Sequence, residues 1–170
     1  KNIRFDFLIF CALKDERDPY AYLLNGQRFH RGGFEFVDIT IAGKSGSVVL
    51  MPQMGLVNAA ITSSVCIDRY RPSLVGMSGI CGGFPKRAEL GQLVVSSMAY
   101  EYQSGKWSSD GFEQEPYQVP TDHVLLTRLK EMLGSEDLIV ELEQGFKGGD
   151  RPRQSVKPID GIFTSGSAVI

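Results

Sequence analysis

No stretch of this sequence approaches the ~18 consecutive apolar residues that a membrane-spanning helix needs. The longest apolar run near the start covers residues 7–13, Phe-Leu-Ile-Phe-Cys-Ala-Leu. Charged residues flank it, Arg4 and Asp6 before and Lys14-Asp15-Glu16-Arg17 after, and no small-residue cleavage site follows. It therefore reads as a buried strand and not as a signal peptide. A basic excess is also missing. Eighteen Lys and Arg stand against 20 Asp and Glu, for a net charge of −2. That balance argues against a nucleic-acid partner or a membrane surface. Histidine is scarce, with two residues, and the three cysteines, Cys11, Cys66 and Cys81, form no C-x-x-C pair. The pattern excludes a zinc motif and a disulfide framework, so reduced, buried thiols in a cytoplasmic protein are expected, with no metal and no cofactor.

What is present is an ordinary globular composition. Of 170 residues, 42% are hydrophobic and 22% charged. Such a chain buries roughly 70% of its unfolded surface, enough for a core without staples. It reads as one domain over residues 1–170. The chain starts at Lys1 and stops at Ile170 inside an apolar stretch. Domains rarely end in mid-strand, so the native domain is expected to continue past residue 170.

Element signals alternate along the chain. Phe5 to Ala12 reads as a strand buried on both faces. Asp18-Pro19 reads as N-cap and first helical residue of a short helix through Leu24. Phe34 to Ile41 and Ser47 to Met51 form a hairpin across a Gly/Ser turn. Val57, Ile61 and Val65, four residues apart, predict an amphipathic helix to Tyr70, broken at Pro72. Leu74 to Met77 and Leu93 to Ser97 are short strands. Gln103 to Pro120 is polar and reads as a long excursion. Thr121 to Leu133 is helical, with Gly134 as its stop. Residues 146–157 read as a loop, and the stretch from Pro158 onward as a strand that ends at Thr164-Ser165-Gly166-Ser167. Strands alternating with helices imply an α/β fold with a largely parallel sheet and one hairpin.

In open α/β sheets ligands bind outside the carboxyl ends of strands. Four such ends here carry unusual residues: Lys14-Asp15-Glu16, Met54-Gly55, Gly79 to Gly83, and Ser165-Gly166-Ser167. Each alone is a common loop or turn. Together they can line one pocket.

The order of these pieces resembles the purine and uridine phosphorylase superfamily, which includes the methylthioadenosine and S-adenosylhomocysteine nucleosidases. The resemblance rests on Ala12-Leu13-Lys14-Asp15-Glu16, Met54 to Ala60, Tyr70-Arg71-Pro72, Gly79-Ile80-Cys81-Gly82-Gly83 with Leu90 to Val95, and Thr164 to Val169. The run Tyr102 to Trp107 looks like a branch of nucleosidase domains fused to bacterial signalling or defence proteins. The resemblance implies a three-layer αβα fold and cleavage of an N-glycosidic bond in a purine nucleoside or nucleotide. Such cleavage passes through an oxocarbenium-like sugar.

The family places an acidic residue three or four positions after the alanine matched by Ala12. That leaves Asp15 and Glu16 as candidates to orient water, with the choice leaning to Glu16. Gly55 matches a glycine where backbone passes close to the sugar, and Gly79, Ile80, Cys81 and Gly82 match a substrate-binding turn. Ile80 stands where phosphorylases and several nucleosidases of the family carry a hydroxyl residue that holds phosphate or water; a bound phosphate would lose a ligand there, which lowers phosphorolysis against hydrolysis. Arg31, His30 and Arg87 are the residues left to contact phosphate or ribose. Val169 and Ile170 match the purine-holding segment, without its stacking aromatic. A Met-Glu pair that grips the ribose and an Asp that binds the purine are expected beyond residue 170. The resemblance thus implies a nucleosidase, an oligomer and most simply a dimer, with phosphorolysis or a non-catalytic nucleotide sensor as the alternatives.

Overall fold

The computed structural model describes residues 3–145 and 157–166. The chain forms two compact units that divide between Cys81 and Gly82.

The first unit holds β1 (Phe7–Cys11), α1 (Lys14–Leu23), β2 (Gln27–Arg31), β3 (Phe34–Ile41), β4 (Lys44–Leu50), α2 (Leu56–Tyr70) and β5 (Leu74–Met77). Its sheet runs in the order β2-β3-β4-β1-β5. β1 lies between β4 and β5 and is parallel to both, with Phe7 opposite Gly46 on one side and Leu74 on the other. The β2-β3-β4 meander is antiparallel, so the sheet is mixed. β1 is apolar on both faces because both are covered. Leu8 and Phe10 pack with Phe36, Val49 and the α2 residues Cys66 and Tyr70. Phe7, Ile9 and Cys11 pack with Val37, Val48 and the α1 residues Tyr20 and Ala21. Alternate residues of one strand thus face opposite helices, which makes three layers, α1, sheet and α2. Leu8, Phe36, Val48 and Val49 are fully buried, and each contributes ~1.5–3 kcal/mol by leaving water.

The start of α1 differs from the sequence reading. α1 begins at Lys14, and Pro19 stands inside it. Its N-cap, Leu13, has no side-chain acceptor, so Glu16 reaches back and accepts the Leu13 N–H at 2.9 Å. This glutamate does the capping work expected of Asp18, and the N-cap lies five residues earlier than expected. α2 ends at Tyr70, as the sequence reading expects, two residues before Pro72. Arg71 adopts the left-handed conformation at φ 48° and returns its N–H to the Ile67 carbonyl.

The second unit contains β6 (Val94–Glu101), β7 (Gly105–Ser108), β8 (Gly111–Gln114), β9 (Gln118–Pro120), α3 (His123–Leu133), α4 (Glu136–Gly145) and β10 (Ile159–Ser165). β10 is parallel to β6, and β9 is antiparallel to β6. β7 and β8 make a separate hairpin. The stretch read as a polar excursion is therefore largely strand. Its pairing rests on cross-strand contacts, Trp107 against Phe112 and Lys106 against Glu113, and not on an alternating apolar pattern. α3 starts at His123, capped by Asp122, whose Oδ1 accepts the Leu125 N–H at 2.9 Å. α4 carries no signal that the sequence reading picked out. Most of the expected loop over 146–157 lies outside the described residues.

Candidate functional site

The site grows from the carboxyl ends of two neighbouring strands. β1 finishes at Cys11, and its register with β5 continues one step further, where the Ser78 N–H donates to the Phe10 carbonyl at 3.0 Å. The chain then turns into α1 on one side and into Gly79-Ile80-Cys81 on the other. Glu16, in the first turn of α1, bridges the two exits. Its Oε2 accepts the N–H groups of Ala12 and Leu13, both at 2.9 Å, and its Oε1 accepts the Ile80 N–H at 3.0 Å. Three backbone dipoles thus converge on one carboxylate at a helix N-terminus, where negative charge is favoured.

Gly79 makes this approach possible. A Cβ at Gly79 would lie 2.6 Å from Glu16 Oε1 and 2.9 Å from its Cδ. The requirement is steric, because the backbone there is not left-handed. Beside the carboxylate an open groove of about 510 Å³ is lined by Leu13, Asp15, Glu16, Pro19, Tyr20, Leu23, Leu24, Ser78, Gly79 and Ile80. Its walls are mainly apolar, with acidic groups from Asp15 and Glu16 and hydroxyls from Tyr20 and Ser78 among them. Tyr20 crosses from α1 to the β5 exit, its hydroxyl donating to Ser78 Oγ at 2.8 Å.

Under α1 lies an ion network that sequence reasoning did not find. The Arg17 side chain is 2% exposed. Its Nε donates to Asp18 Oδ1 at 2.6 Å and its Nη1 to Glu35 Oε2 at 2.9 Å. Arg28 pairs with the same Asp18 at 3.2 Å. The Arg17 hydrogen bond, against partial burial, holds the Glu35 carboxyl below the usual carboxylate range. A signal did exist: Arg17 follows Glu16 directly on a helix whose other face must cover the sheet. The Cys11 thiol is pushed up to about 12, first by burial and then by the nearby Glu16 charge. It stays protonated at neutral pH and is no nucleophile.

The other candidates separate clearly. Asp15 lines the groove but is exposed. Gly55 is the N-cap of α2 at φ 114°, a conformation that favours glycine, with open space where a side chain would stand. Cys81 is an exposed thiol next to Ile80. His30 and Arg31 sit on β2 and do not line the groove. Arg31 gives Nη1 to Asp38 at 2.7 Å, pairs with it again through Nη2, and lies 4.2 Å over the Phe29 ring. His30 is 82% exposed and 3.9 Å from Glu35. Gly82 and Arg87 belong to the second unit. Val169 and Ile170 lie outside the described residues.

Comparison with known proteins adds a family to this geometry. A model of the Phosphorylase superfamily matches residues 6–167. The uncharacterized protein y4jS of Sinorhizobium fredii is 31% identical over 132 residues, 74% of this chain and 31% of that protein. A 5'-methylthioadenosine/S-adenosylhomocysteine nucleosidase of Shewanella sp. strain MR-7 is 31% identical over 130 residues, 70% of this chain and 55% of that protein. The crystal structure of such a nucleosidase from Colwellia psychrerythraea, in complex with adenine, matches with a TM-score of 0.72 at 22% identity. That match covers 97% of this chain and 63% of the Colwellia chain, and it shows a shared fold. The chain spans about a third of the first relative and about half of the second.

Proposed function

The chain belongs to the phosphorylase superfamily, and from that membership and the setting of Glu16 we propose that the protein hydrolyses the N-glycosidic bond of a purine nucleoside or nucleotide of the adenine type. The observation that carries this reading is the Glu16 carboxylate, fixed by three backbone N–H groups between the ends of β1 and β5. An ionised carboxylate offers about four acceptor sites. Two on Oε2 and one on Oε1 are taken by the described backbone, which leaves one on Oε1 for a water. Glu16 orients that water and receives its proton. The water oxygen bonds to the anomeric carbon as the C–N bond breaks, and the bond pair leaves with the base. General-base action of this kind contributes ~10²–10⁴-fold in rate. The Ile80 side chain has no hydrogen-bonding atom, so a phosphate placed there gains nothing from it, and water is the preferred nucleophile. The nucleosidase relative supports the same chemistry.

The test is base release from an adenine nucleoside by the full-length protein, with and without phosphate. Release in phosphate-free buffer is expected. Glu16→Gln should lose ~10²-fold or more of the rate, while Asp15→Asn keeps most of it. Strict phosphate dependence with ribose 1-phosphate as product overturns the reading. The same proposal includes a cytoplasmic homodimer. Val57, Ile61 and Val65 leave an apolar stripe exposed along α2, and symmetric dimers are the commonest homo-oligomers. No described helix is long and apolar enough to cross a membrane.

A further inference from the structure

We infer that Tyr20 and Ser78 form a positioning latch that sets the geometry of the Glu16 carboxylate. The inference rests on the reading of Glu16 as the base. Glu16 and Tyr20 are four residues apart on α1 and so share one helix face, about 6 Å apart along the axis. Their partners, Ile80 and Ser78, are two residues apart along the chain that leaves β5. Two extended residues span about 6.6 Å. The spacings match, and the two links are rungs between the same helix face and the same strand exit. One rung is the Ile80 N–H on Glu16 Oε1 at 3.0 Å. The other is the Tyr20 hydroxyl on Ser78 Oγ at 2.8 Å. Gly79, between the two partners, lies against the carboxylate itself.

The consequence is directional. The Ile80 N–H occupies one site on Oε1 and so decides which site remains for water. Anything that lets residues 78–80 drift from α1 turns that free site away from its target. The Ser78 N–H holds the segment to β1, along the sheet. The Tyr20 hydroxyl is the side-chain link, besides the Glu16 carboxylate itself, that holds it to α1. Neither residue touches the reacting atoms in this scheme. The Tyr20 ring packs against the core beside Val37 and Val48, so loss of its hydroxyl alone leaves that packing in place.

The experiment measures kcat and KM for adenine-nucleoside hydrolysis by the full-length protein, with melting temperatures recorded alongside. Tyr20→Phe and Ser78→Ala should each lower kcat about 3- to 10-fold, the worth of one neutral hydrogen bond, with KM little changed. The double variant should be no slower than either single one, and Ser78→Thr, which keeps a hydroxyl, should restore kcat. On a Glu16→Gln background, measured in single turnovers, Tyr20→Phe should have no further effect. An unchanged kcat in both single variants overturns the latch. So does an equal loss on the Glu16→Gln background, which is the mark of a purely structural role. If Glu16→Gln itself turns over at full rate, the base assignment fails first, and the latch falls with it.

Discussion

Gly79 is a glycine because of a neighbour 63 positions earlier in the chain. The atoms that a Gly79 side chain would meet are the carboxylate oxygens and Cδ of Glu16, the far end of a flexible side chain. Gly79→Ala should therefore push Glu16 aside at little cost to the fold. We expect a stability loss of about 1 kcal/mol or less, since one hydrogen bond is weakened. Activity should fall about 10²-fold, as misplacement of a catalytic group by ~1 Å does. Melting temperature and base release measured on the same variant check both halves, and full activity in a folded Gly79→Ala protein would overturn the geometry. The residue scale also shows where sequence reading stopped. Asp15 and Glu16 are equivalent as letters. They differ once α1 begins at Lys14, because only Glu16 then faces the amides of Ala12, Leu13 and Ile80.

α1 is the element on which the site depends, and it is a poor helix by local rules. It has a leucine N-cap without an acceptor and a proline inside, which removes one backbone donor. Tertiary links hold it instead, Glu16 at its first turn and Arg17 through Glu35 beneath. Removal of Glu35 leaves the buried Arg17 with Asp18 alone. We expect Glu35→Ala to cost about 2 kcal/mol, less than the 3–5 typical of a fully buried pair because Glu35 is partly exposed. Arg17→Met, which removes the buried charge and keeps the volume, should cost less. The pair also fixes a pH dependence. Glu35 has a folded-state value below its unfolded one, so its contribution is complete above the unfolded value and is lost as pH falls through the lower folded one. Acid unfolding monitored by circular dichroism should be flatter in this range for Arg17→Met than for the parent. An identical acid limb would show that the pair contributes nothing. The sequence placed a helix here from Pro19, a sound local signal for N1 that tertiary contacts overrode.

At the scale of the whole molecule, the homodimer proposed above is open to light scattering, where a stable monomer of the full-length protein at micromolar concentration counts against it. The α/β alternation, the doubly buried β1, the helix from Val57 to Tyr70 and the Gly-rich turn after β5 were all legible in the sequence. Each of them is written in local periodicity or in turn residues, which report element type; burial is another matter, for the periodic Val57, Ile61 and Val65 of α2 are exposed and its buried face is Thr62, Cys66 and Tyr70. The β7-β8 hairpin was not, because its residues are largely exposed and carry little periodic apolar signal, and the sequence reading passes over α4 although Leu138 and Leu142 stand four residues apart on it. The arrangement of the site was not legible either. The sequence by itself determined that an acidic residue follows β1 and that glycines follow β5. Only the tertiary structure decided that Glu16 is the residue gripped between them, that Arg17 anchors its helix and that Arg31 is taken up by Asp38. The Glu16 grip joins segments 64 residues apart in the chain, the Arg17 pair spans 18 residues and the Arg31 pair spans 7 across adjacent strands, and no local pattern encodes these contacts.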